Sequence, residues 1–433
     1  MSGDVARRAY SNSDAAAQYE IAVEAARHID VPHDDLIETW SVLGDMRQLS
    51  GNPDGAVDAL KRAAGLAKED PVTEGQLLVL RARVQARVGM AGTALRATSR
   101  VKHILQSADG EAADRVRVQA ECIRALVRLD QNRPAEARAT ALAVAEDARA
   151  VGEAETLVLA LMAIDEAEHE LGMPVTGEHT NEALEVCVAN GMRWRESMAL
   201  MNLGATAYFR GRWEEALDYF QRSRRVALEA GFAVGAAEAE VNIGDLMISL
   251  GRADEAEPVL RDAVRVHRSS RRDSWAATGE LQLLRVALAR GKYAEAESGL
   301  TALITRVRGL DDHYVAIEAE LVLAETIAGS GDFARAVDLV DGSELIAEER
   351  EGPLRPRIML VRATALLGLG RLDDSAADIH TGLESARDSQ LLYEEATLLA
   401  LASRVADARG DEAAKVSLAR EATVIFDQLG VRT

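Results

Sequence analysis

The sequence predicts an all-α chain, a right-handed superhelix of about eleven stacked helix-turn-helix units. Three observations carry that expectation. A short turn motif recurs about every 40 residues along the 433-residue chain. The stretches between copies place apolar residues three and four apart, the period of an amphipathic helix. Composition agrees: 48 % of residues are hydrophobic but only 4 % aromatic, and eight prolines are few enough for most of the chain to be helix interior. A chain of this length exceeds one compact core. An array escapes the limit because each unit packs only on its neighbours.

The turn motif is a glycine followed five residues later by alanine: GRWEEA at Gly211–Ala216, GRADEA at Gly251–Ala256, GKYAEA at Gly291–Ala296 and GDFARA at Gly331–Ala336. Weaker copies start at Gly51, Gly89, Gly370 and Gly410. Asn132 stands in for glycine, Gly172 opens a degenerate copy and Tyr10 a partial one. Successive anchors lie 38 to 43 residues apart. Glycine, and next to it asparagine, tolerates the left-handed backbone that ends a helix. The acidic or polar residues that follow suit the positive end of the next helix.

A second landmark falls seven residues before the anchor: Gly44, Ala82, Ala125, Gly204, Gly244, Ala324, Ala363 and Ser403, with Asp165 and Leu284 breaking the pattern. Small residues there let two backbones approach closely. Together with Ala216, Ala256, Ala296 and Ala336 they define the expected packing seam.

Leu203, Gly204, Ala216, Tyr219 and Phe220, followed by Ile243, Gly244, Ala256 and Leu260, resemble the tetratricopeptide repeat family. The likeness runs along nearly the whole chain. The period of about 40 exceeds that family's usual 34 and is similar to the long-repeat arrays of bacterial signalling ATPases and transcriptional regulators. The segment GDVARRAYSNSDAAAQYEIAVEAARHI looks like the junction where such arrays begin, and AREATVIFDQLGVRT like their last helix. What precedes Tyr10 leaves the first hairpin incomplete, so an upstream partner or a homodimer mate is expected to cover its apolar face. Within the array, residues 1–172 form N-terminal units and 194–433 more regular C-terminal ones. The segment 173–193, which lacks the turn pattern, is expected to be an irregular hinge.

The resemblance implies a non-catalytic regulatory scaffold that binds a protein or peptide in its concave groove. A small molecule or signalling peptide inside the superhelix is the alternative. Groove-facing residues are expected one position past the small landmark, which nominates Asp245, Arg285 and Glu325. Asn202 and Asn242 could bracket a peptide backbone through their amides. Seven of the sixteen aromatics, Tyr208 among them, fall between Trp194 and Phe232, with Trp213 expected to be exposed in a turn. A basic cluster of Arg261, Arg265, Arg268, Arg271 and Arg272, with His267, could receive an acidic or phosphorylated partner.

The formal charge of −21 disfavours binding to nucleic acid. No apolar run approaches a membrane span, and Cys122 and Cys187 are isolated, which suits a reducing cytoplasm. The eight histidines lack metal-ligand spacing and are expected at the surface or at helix ends. No nucleophile or dinucleotide motif is present, so neither enzyme activity nor a metal or cofactor is expected.

Overall fold

The computed structural model describes residues 12–29, 31–50, 52–171, 173, 176–309, 313–343, 346 and 354–431. Tyr10, Gly51 and Gly172, three of the expected anchors, lie outside them. The described residues form helices without a strand. The chain divides into two compact units, Met1–Gly191 and Met192–Thr433.

Unit one contains α1 (Asn12–Ala25), α2 (His33–Leu49), α3 (Pro53–Leu66), α4 (Pro71–Arg87), α5 (Ala91–Ile104), α6 (Glu111–Asp130), α7 (Pro134–Val151), α8 (Ala154–Glu170) and α9 (Glu178–Ala189). The segment 173–193 is therefore not a prolonged loop, because α9 occupies most of it. Its period is degenerate only because the turn before it carries no glycine-to-alanine signature.

Unit two is six hairpins. They are α10 (Arg193–Phe209) with α11 (Trp213–Glu229), α12 (Ala233–Ser249) with α13 (Ala253–Ser269), and α14 (Asp273–Ala289) with α15 (Tyr293–Arg308). There follow α16 (His313–Gly329) with α17 (Phe333–Gly342), α18 (Arg355–Gly368) with α19 (Leu372–Asp388), and α20 (Leu392–Ala408) with α21 (Glu412–Leu429).

Each described anchor from Gly89 onward sits between the two helices of a hairpin. At Gly211 the backbone is left-handed, with φ 68°, and the Arg212 N–H donates to the Ala207 carbonyl at 2.9 Å. That closes α10 and frees α11 to reverse direction. Asn132 does the same work with φ 54°.

The small landmark is where the two helices touch. A Cβ added at Gly204 would lie 2.5 Å from the Phe220 ring, and one at Gly244 would lie 2.4 Å from Leu260. Leu284, an exception, is met by a glycine in return: a Cβ on Gly299 would lie 2.3 Å from its side chain. Large and small have exchanged helices at that hairpin.

The last hairpin of unit two returns to the first two. A Cβ on Gly211 would be 2.6 Å from Leu392 and 3.1 Å from Leu429. Leu250 and Leu429 share one buried cluster with Trp213 and Phe220, and Tyr393 packs on its edge. Six hairpins thus close on themselves, with the first helix of each lining the inside.

Substituting Gly204→Ala is expected to cost about 1–3 kcal/mol through overpacking against Phe220. Urea unfolding of the full chain measures it, and Phe220→Leu in the same chain should recover part of the loss.

Candidate functional site

The interior of unit two collects one or more polar side chains from every first helix. Asp245 on α12 pairs with Arg285 on α14, which also donates to Gln282 Oε1 at 2.8 Å. Across the interior, Arg357 on α18 pairs with Glu318 on α16 and approaches Glu325 of the same helix at 3.6 Å. Tyr208 on α10, and Tyr393 and Glu394 on α20, complete the circle. The Arg285 and Arg357 side chains keep less than a fifth of their surface exposed, at 18 % and 19 %. Charges that far from water interact strongly, since little solvent screens them.

The groups therefore tune one another. Burial pulls the Arg357 guanidinium down, but Glu318, Glu325, Asp245 and Glu394 together outweigh it and hold the group above its ordinary value. Arg285 behaves likewise, with Asp245 its main support. Burial raises the Glu394 carboxyl, and the nearby Arg357 offsets only part of that, because Glu318 and Asp245 push the same way as burial. Tyr208 is pushed well up by burial, then by Asp245 and Glu394. Among these described residues four carboxylates face two guanidinium groups, an excess of negative charge, and no described cation forms an ion pair with Glu394.

Of the residues expected here, Asp245, Arg285 and Glu325 stand at this interior, and Tyr208 joins them through its charge coupling. Glu318, Arg357 and Glu394 were not anticipated. They lie about two to two and a half helical turns before the landmarks Ala324, Ala363 and Ser403, and only the closure of the hairpins brings them inward. Asn242 spends its amide on Met201 Sδ at 3.0 Å rather than standing open, and Asn202 is half-buried on α10.

Trp213 is not exposed. It is the first residue of α11 and retains 3 % of its surface. Its indole stacks on Tyr208 at 5.6 Å with 3° between the planes, donates to the Tyr208 carbonyl, and meets Tyr393 at 5.1 Å. The ring is covered because the last hairpin closes over it. Phe209 is the exposed aromatic of this turn, at 52 %.

The basic cluster lies on the outside, partly lining a cleft of ≈ 570 Å³ between α13, α14 and α15. Its cations are already engaged: Arg261 with Glu257, Arg265 with Asp262, Arg268 with Glu280 and Arg272 with Glu238. Arg271 occupies the turn itself, with φ 53°. His267 is not a surface residue. It is wholly buried at 0 % and lies flat on Trp275, 5.7 Å away with 19° between the rings. Burial, assisted by Arg272, pulls its imidazole below the ordinary value and keeps it neutral.

Residues 195–269, which span α10 to α13, match the family model for the tetratricopeptide repeat. The likeness in sequence is confined to those two hairpins. Solved structures share the fold. A Rap protein complexed with Competence and Sporulation Factor superposes with TM-score 0.62 at 13 % identity, covering 83 % of this chain and 99 % of that one. The apo quorum sensor NprR from B. thuringiensis gives 0.60 at 14 % identity, covering 82 % and 97 %. A signal transduction ATPase with a tetratricopeptide repeat sensor, from Pyrococcus horikoshii, gives 0.48 at 18 % identity and covers 63 % of this chain. This chain spans only 42 % of that protein. No curated protein matches the sequence. No helix among the described residues is long and apolar enough to cross a membrane.

Two pH dependences follow. The folded chain holds a proton on Glu394 above the ordinary value of 4.5, where the unfolded chain has released it, so this group subtracts stability as pH rises through that window. Glu394→Gln is expected to unfold at higher urea than wild type at pH 7, with the difference vanishing at pH 4. For His267 the sign is opposite. The unfolded imidazole takes up a proton near 6.5 and the folded one does not, so stability falls as pH drops through 6.5. Thermal unfolding of His267→Phe between pH 7.5 and 5.5 should show a flatter dependence than wild type.

Proposed function

We propose that unit two receives a short, positively charged peptide, or an extended segment of a partner protein, in the interior of its closed hairpin array, and that the chain acts as a non-catalytic sensor or regulatory scaffold. The observation that carries this reading is the ring of Tyr208, Asp245, Arg285, Glu318, Glu325, Arg357 and Glu394, drawn from all six first helices. Buried ion pairs contribute little to stability against apolar residues of the same volume. A packing role alone therefore gives no reason for a polar interior here. A cationic side chain placed beside Glu394 would supply the counter-charge that this carboxylate lacks. Peptide carbonyls could displace the weak Met201 acceptor from Asn242.

Similar folds support a peptide as occupant. The Rap neighbour was crystallised with Competence and Sporulation Factor. Another neighbour, the Rap conjugation gene regulator of plasmid pLS20, was solved with the Phr* peptide; it has TM-score 0.54 at 12 % identity and covers 82 % of this chain and 95 % of that one.

A display library of unstructured short peptides, panned on the full chain, tests the reading. Enriched sequences are expected to carry Lys or Arg. Glu394→Gln and Asp245→Asn should each weaken the enriched peptides at least about tenfold, or about 1.4 kcal/mol, in calorimetric titration. Peptides that bind the variants as well as wild type would remove the interior from consideration.

A further inference from the structure

Unit one contains an arrangement that the peptide reading does not use. At the landmark seven residues before the anchor, where other hairpins place Gly, Ala or Ser, α8 carries Asp165. It is buried, with 6 % of its surface exposed. One carboxylate oxygen, Oδ2, accepts from the Thr180 N–H at 2.8 Å and from the Thr180 hydroxyl at 2.6 Å, which ties it to the first turn of α9. The other oxygen, Oδ1, is fully buried and has no hydrogen-bond partner among the described residues. Leaving a carboxylate oxygen buried and unmatched is costly, more so than for a neutral group.

Two further donors stand beside it. Glu168, one turn along α8, is also buried at 8 %. His179, second residue of α9, is half-buried. Asp165, Glu168 and His179 each offer one ligand atom, and the three atoms lie within 4.8 Å of one another. Arg138 of α7 holds Glu168 Oε1 through its Nε at 2.8 Å. The second oxygen of Glu168 is not part of that hydrogen bond.

We propose that Asp165, Glu168 and His179 form a binding site for a divalent first-row transition metal that clamps α8 to α9. Donors on one zinc ion sit about 2.0–2.2 Å from it, hence roughly 3–3.5 Å apart. Binding would draw the three donors inward from their present spacing of up to 4.8 Å. The donor set selects the class of metal: an imidazole beside two carboxylates suits Zn²⁺ and its neighbours, whereas Ca²⁺ and Mg²⁺ take all-oxygen sites. Coordination would satisfy Asp165 Oδ1 and leave its Oδ2 on Thr180. Arg138 competes with the metal for Glu168. Three protein ligands leave at least one position to water or to a partner's side chain.

The test uses the full chain, stripped with a chelator and titrated with Zn²⁺ against a chromophoric competitor, with Co²⁺ as a spectroscopic probe. The expected result is one equivalent bound at micromolar or tighter affinity, a rise of several degrees in the thermal midpoint, and visible d–d bands with Co²⁺. His179→Gln, a half-buried position, and Glu168→Gln should each weaken binding at least tenfold, while Arg138→Met should strengthen it. No stoichiometric uptake by wild type overturns the site. So does uptake that His179→Gln leaves unchanged, because scattered surface carboxylates would explain it. Should a variant fail to fold, as circular dichroism reports, the wild-type Co²⁺ spectrum decides alone: bands lacking imidazole ligation refute the assignment.

Discussion

Everything in this protein depends on how closely the two helices of a hairpin can approach. At Gly204 and Gly244 there is no room for a Cβ, because Phe220 and Leu260 occupy its place. That contact sets the spacing within a hairpin and leaves a continuous apolar edge exposed on each side. A hairpin cannot hide both edges alone, so the next must stack on it. The exchange at Leu284 and Gly299 shows that the constraint is on the summed volume across the seam, not on which helix supplies the small residue.

Stacking in one dimension normally leaves two ends. Unit two disposes of them by bringing α20 and α21 back to the turns at Gly211 and Leu250. The closure has two consequences that no single hairpin contains. It buries Trp213 in a stack with Tyr208 and Tyr393, and it gathers a row of polar residues on the first helices into a half-buried interior. Arg285 and Arg357 then depend on Asp245, Glu318 and Glu325 for charge balance, and Glu394 is left over. The proposed cationic occupant would offset that imbalance.

Outside, the same residue types do something different. The arginines from Arg261 to Arg272 pair with carboxylates on their own or adjacent helices, where solvent weakens each contact to a fraction of a kcal/mol up to about 1 kcal/mol. The charge run expected to receive an acidic partner is thus paired with carboxylates around it. His267, beside that run in sequence, faces inward, because a helix turns 100° per residue and neighbours in sequence point apart.

The sequence by itself determined the hairpins, their turns and the seam. Those are local facts: Gly211 or Asn132 ends a helix, Ala216 follows five residues after the anchor, and Gly204 faces its partner within one 40-residue unit. It also pointed to Asp245, Arg285 and Glu325, since their offset from the landmark is set by helix geometry alone. Tertiary structure decided the rest. Glu318, Arg357 and Glu394 become one site with those three only when six hairpins close, and Trp213 is buried only because residues some 180 positions later cover it. In the sequence Asp165 reads as a break in the landmark and His179 as a histidine without metal-ligand spacing, until α8 and α9 set both beside Glu168. Periodicity records what each helix shows its neighbour in the chain. Contacts between distant hairpins leave no periodic trace.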